Sequence, residues 1–186
     1  MDLSRKERRF IDVARDRIRK HSQERKNAEH FDKLHAVVRS TNGNIYAGVP
    51  FESSMSQFDL CAERHAINNM HYVETKTTKL DLILVAGTVP DADESVTTPC
   101  GARRHAIHEF SDNATVFCSR FVRQDDGWTM FSRIKRYTVE ELYPDPYSDP
   151  GSDPATSADK MSTNRAVKPH STCDRRPPPV AAAQTN

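Results

Sequence analysis

Residues 80–87 read LDLILVAG, an apolar run of strand length interrupted only by Asp81. A half-buried strand alternates apolar with polar residues, whereas a nearly continuous apolar run needs cover on both faces. The segments around it supply that cover. Upstream, Ser4 to about Lys20 places Phe10, Ile11, Ala14 and Ile18 on one helical face with charges elsewhere. The polar stretch 21–32, HSQERKNAEHFD, predicts a loop. LHAVVRSTNGNIYAGV, residues 34–49, holds two short β-rich runs around Asn42-Gly43, a hairpin pattern. CAERHAINNMH, residues 61–71, suits a helix. Downstream, CGARRHAIHEF starts a further helix at Cys100, and ATVFCSRF (114–121) predicts another strand. WTMFSRIKRYT follows as a weaker strand, and TVEELYP (138–144) as a short closing helix stopped by Pro144. Helices alternating with strands in this order predict a three-layer α/β/α sandwich around a mixed central sheet.

At 186 residues the chain suits one domain with some residues to spare. That domain is expected over residues 1–147. Residues 148–186 are rich in Pro, Ser, Asp and Ala, with almost no bulky hydrophobes, so they cannot bury enough surface to offset chain entropy. A disordered tail is the expectation there, with Cys173 an exposed thiol and Arg175-Arg176 solvated. Charges nearly balance, with 27 Lys/Arg against 26 Asp/Glu, which leaves no global field for nucleic acid or an acidic membrane. The first 26 residues carry ten Lys/Arg against five Asp/Glu, a modest bias that reads as a solvated helix. No apolar run approaches the roughly 20 residues needed to span a bilayer. MDLSRKERRF carries charge but no apolar core, so a secretory signal is not expected, and the cytoplasm is the default location. The four cysteines, at 61, 100, 118 and 173, sit in unlike contexts and read as thiols or ligands rather than a disulfide framework.

Two segments stand apart as chemistry. Cys61-Ala62-Glu63-Arg64 and Pro99-Cys100-Gly101-Ala102-Arg103-Arg104 each open a predicted helix with a cysteine. A helix N-terminus sets positive partial charge and free N–H groups beside the thiol, favouring thiolate. Two such thiolates, from helices packed on one sheet, could converge on one cation, and Glu63 would lie beside whatever that cation binds. Taken alone, a cysteine is more often a small buried hydrophobe and a helical glutamate a solvated one.

These segments resemble the zinc-dependent cytidine deaminase family, whose signature is Cys (or His)-Ala-Glu followed by Pro-Cys-x-x-Cys at the head of a second helix. The resemblance extends through NGNIYAGV at 42–49, HEF at 108–110 and VEELYP at 139–144, and so covers about residues 5–147. It implies the family's fold and hydrolytic deamination of a cytidine-like nucleoside or a modified pyrimidine analogue. It further implies zinc held by Cys61 and Cys100, with Glu63 as the catalytic acid/base and Glu52 binding ribose. Arg64 and Arg104 match arginines that hydrogen-bond to the thiolate sulfurs. Small members of the family form homo-oligomers, so a dimer or tetramer is implied as well.

The departures fall on the same shell. Position 103, the family's third zinc ligand, is Arg. Position 50 is Pro and position 53 is Ser, where the family carries nucleoside-binding asparagines. Asp32 stands where a phenylalanine packs on the base, and His105 replaces a glutamine. These changes argue against unmodified cytidine as the substrate. Helical geometry limits any local replacement for the lost ligand. His105 lies roughly 140° around the helix from Cys100, and His108 about 12 Å along the axis. Cys118 could approach only if its side chain faces the helix layer. The alternative reading is an inactive binding or regulatory protein on the same fold. There, the Arg103 guanidinium takes over the charge of zinc and pairs with Glu63.

Overall fold

A computed structural model of the chain describes residues 1–24, 34–74, 78–88, 95–111, 113–123 and 129–146. The Asn42-Gly43 turn closes a hairpin between β1 (Leu34–Ser40) and β2 (Ile45–Gly48). Gly43 adopts φ 91°, a conformation that side chains rarely take, and its N–H donates to the Ser40 carbonyl at 2.9 Å. The apolar run becomes β3 (Leu80–Gly87), which pairs antiparallel with β1 on one side. On its other side it pairs parallel with β4 (Thr115–Arg123). β5 (Thr129–Thr138) pairs antiparallel with β4, giving the mixed order β2-β1-β3-β4-β5. A parallel pair requires a crossover, and α3 (Gly101–Glu109) provides it between β3 and β4.

The sheet is covered on both faces, as its central strand demands. Phe10, Ile11, Ala14 and Ile18 of α1 (Arg5–Glu24) pack on Val37, Leu82, Leu84 and Phe117. On the opposite face, Ala66, Ile67 and Met70 of α2 (Ala62–Val73) and Ile107 of α3 pack on Val38, Ile83, Val85 and Val116. Successive residues of β3 therefore serve opposite layers, with burial of each large side chain contributing roughly 1.5–3 kcal/mol. The closing helix α4 (Val139–Leu142) is short and sealed by a capping box between Thr138 and Glu141. The three-layer α/β/α sandwich is thus present.

One boundary differs from expectation. α1 continues to Glu24, through the first residues of the stretch read as a loop. Neither Gly nor Pro interrupts it there, and His21 Nδ1 comes within 3.2 Å of His35 Nε2 on β1, which ties the last turn to the sheet. Residues 25–33, which include Asp32, lie outside the described residues, as does the expected tail at 148–186 with Cys173 and Arg175-Arg176. Among the described residues no helix is long and apolar enough to cross a membrane.

Gly48 sets how close the hairpin comes to α2. A Cβ at this position would lie 2.4 Å from both the Ala62 carbonyl oxygen and the Ala66 amide nitrogen. The end of β2 therefore rests directly on the first turn of α2, the turn that carries Cys61 and Glu63.

Candidate functional site

The starts of α2 and α3 define the site. Cys61 is the N-cap of α2 and Cys100 the N-cap of α3, both in extended backbone conformation, and neither side chain caps its helix. Both thiols are consequently available to other partners. The approach to Cys100 is held in place by two contacts. The Thr97 N–H donates to the Ser119 carbonyl of β4 at 3.2 Å, and Arg104 Nε donates to the Pro99 carbonyl at 2.7 Å.

Glu63, in the first turn of α2, is wholly buried. Arg103, in the first turn of α3, reaches across to it, with Nε 3.4 Å from Glu63 Oε2. The approach is an ion pair by distance rather than an aligned hydrogen bond, since neither Glu63 oxygen nor Arg103 Nε has a partner with good hydrogen-bond geometry. Burial pushes the Glu63 pKa up, and the nearby Arg103 charge only partly offsets this. Burial alone would lower the pKa of Arg103. A hydrogen bond to Cys61 and the negative charge of Glu63, Cys61 and Cys100 outweigh it, so the guanidinium is held firmly cationic. Arg103 thus lies among the three groups that the sequence singled out: Cys61, Glu63 and Cys100.

The donor set does not fit a three-ligand zinc centre. A guanidinium offers N–H donors and no lone pair to a metal. Among the described residues, no group of three or more His, Cys, Asp or Glu side chains is placed to hold a metal ion. Cys118 meets one condition set by the sequence, since it faces the α2/α3 layer within the core of that side. Its thiol is wholly buried, and burial followed by the Glu63 charge pushes its pKa up to about 12. It is a neutral thiol near pH 7, whereas a zinc ligand is a thiolate. His105 packs edge-on against Tyr143 with ring centroids 5.9 Å apart, and His108 meets the same ring at 6.0 Å. Both turn toward Tyr143, just beyond α4.

The remaining candidates divide. Arg104 Nη1 donates to the Leu142 carbonyl at 3.0 Å, so with the Pro99 bond it ties α3 to α4 and to its own entry loop. Its hydrogen bonds go to carbonyls where the resemblance implied a sulfur. Arg64 is exposed and lines a groove between α2 and α3 with Asn68, His71 and Glu109. Glu52 is exposed on the loop after β2, next to Phe51, whose backbone pairs with Leu60. Pro50 and Ser53 flank it on the same loop.

One polar cluster escaped the sequence reading. Glu74, at the C-cap of α2, accepts from Asn42 Nδ2 at 2.7 Å, Tyr46 Oη at 2.8 Å and Asn44 Nδ2 at 3.2 Å. It fastens the hairpin turn to the far end of the helix that carries Glu63. The asparagines announce a turn in the sequence, but nothing there ties them to a glutamate 30 residues away.

A mixed sheet whose two helices each offer a cysteine N-cap, with a buried glutamate between them, defines a deaminase-type α/β/α fold. No protein-family model matches the chain. It is 31% identical over 108 residues to the cytidine deaminase of Mycoplasma pneumoniae, a match spanning 58% of this chain and 71% of that protein. The crystal structure of cytidine deaminase from Burkholderia pseudomallei matches at a TM-score of 0.54 and 20% identity, covering 70% of this chain and 94% of that one. The chain belongs to the cytidine deaminase family.

Proposed function

We propose that this protein binds a cytidine-like nucleoside or modified pyrimidine analogue without hydrolysing it, with Arg103 supplying the charge that zinc supplies elsewhere in the family. The observation that carries this reading is the Arg103–Glu63 ion pair at 3.4 Å, with Cys61 and Cys100 beside the same guanidinium. A fixed cation neutralises Glu63 and faces both cysteines, but it cannot activate a water molecule. A glutamate paired to an arginine is also a poor proton shuttle, because a general acid/base must exchange its proton freely with the reacting group.

A second reading is hydrolytic deamination. It is favoured by the retention of Cys61, Glu63 and Cys100 and by the activity named for the Mycoplasma relative. It would require a metal held by two thiolates, with Arg103 turned away from Glu63.

Metal analysis and ammonia release on one purified preparation separate the two. The wild-type protein is expected to hold far less than one zinc per chain and to release no ammonia from a panel of cytidine analogues, while binding at least one of them. Arg103→Cys should then take up about one zinc per chain, since it completes a three-thiolate set. Stoichiometric zinc with ammonia release from the wild type would establish the deaminase instead.

A further inference from the structure

On the α1 side of the sheet, opposite the layer that carries Glu63, α1 and the β1–β2 hairpin enclose a groove of about 750 Å³. Its lining includes Arg5, Lys6 and Arg9 from α1 and Arg39 from β1, above an apolar floor that includes Phe10 and Ile45. Four cationic side chains therefore converge from two elements on one concavity. Asp81 is the only carboxylate that the described contacts place with them, and two of the four share it. Lys6 Nζ lies 2.9 Å from Asp81 Oδ1, and Arg39 is paired with Oδ2. Arg5 and Arg9 have no acidic partner within ion-pair distance among the described residues. They stand one helical turn apart, on the same face, where like charges repel.

The hairpin turn helps to shape the wall. A Cβ at Gly43 would lie 3.2 Å from Arg39 Nη2, so the guanidinium fills the space beside the turn. A cleft lined by one sign of charge concentrates counter-ions, and arginine forks match phosphate oxygens bidentately. The apolar floor can take the uncharged part of a ligand. We propose that this groove is a second binding site, for the di- or triphosphate chain of a nucleotide. A nucleic-acid strand fits less well. The cations are gathered in one bounded concavity rather than along a track, and the chain's net charge is only +1. The assignment is independent of what binds beside Glu63.

Calorimetric titration of the full-length protein with pyrophosphate, CTP, ATP, AMP and inorganic phosphate tests this. Micromolar binding of the di- and triphosphate ligands is expected, with AMP and inorganic phosphate weaker by about tenfold or more. The double variant Arg5→Ala/Arg9→Ala should weaken triphosphate binding by at least about tenfold, with an unchanged melting curve without ligand. Arg15→Ala/Arg19→Ala removes the same charge from the same helix outside the groove lining and should leave binding intact. Three outcomes would overturn the proposal. They are no binding of any phosphate ligand below millimolar concentration, equal losses in the two double variants, and binding of single-stranded oligonucleotides alone.

Discussion

Glu63 is a carboxyl group with no solvent exposure, and the charged group that reaches it is the Arg103 guanidinium. Its raised pKa means that the folded protein holds this proton more tightly than the unfolded chain does. As pH rises past the ordinary carboxyl value of about 4, the unfolded state ionises first, so stability falls until the raised pKa is passed. Glu63→Gln removes this loss. Its melting temperature, relative to wild type, should climb as pH rises above the ordinary carboxyl value of about 4, because burial outweighs the partial offset from Arg103. Parallel melting profiles for the two proteins would show that the Arg103 pairing cancels the burial cost. Cys61, Glu63 and Cys100 were legible as candidates because spacing puts each at a helix start, whereas only the family resemblance marked position 103 as part of the same site. Which way Arg103 points was not legible, since a surface arginine and a buried one are the same letter in the chain.

At the scale of elements, α2 is clamped at both ends. Gly48 of β2 lies against its first turn, and Glu74 at its last turn holds the Asn42–Asn44 hairpin. Burial would raise the Glu74 pKa, but hydrogen bonds from Tyr46, Asn42 and Asn44 help to bring it down to about 2. The sign is therefore opposite to that of Glu63. Glu74 contributes stability at pH values above the ordinary carboxyl range, and the contribution is lost as pH falls from about 4 toward about 2. Glu74→Gln should cost about 1 kcal/mol at pH 7, allowing for solvent screening, and the gap to wild type should close in acid. Chemical denaturation at a series of pH values measures this, and a gap that is constant with pH would contradict it. The hairpin, α2, β3, α3 and the closing helix were all readable from periodicity and turn residues. The extra turn of α1 was not, because polar helix and polar loop have the same composition there. That turn is tied to the sheet by a contact between His21 and His35, which are 14 residues apart.

For the molecule as a whole, Met1–Tyr147 forms one compact unit through its own contacts, and both layers of its core close within it. A chain ending at residue 147 is therefore expected to melt within about 2 °C of the full-length protein, since every core residue among the described residues is kept. A larger fall would show that residues 148–186 contribute to the stability of the domain. By itself the sequence determined the layered architecture, because a strand as apolar as LDLILVAG must be covered on both faces and the amphipathic segments around it can do nothing else. It also determined that two cysteines and a glutamate stand at helix starts, which is a matter of spacing. Only the tertiary structure decided that Arg103 turns inward to Glu63, that Cys118 lies buried as a neutral thiol in the core on the α2/α3 side, and that four cations from α1 and β1 meet in one groove. Those outcomes depend on groups far apart in the chain, and local pattern carries no record of distance between them.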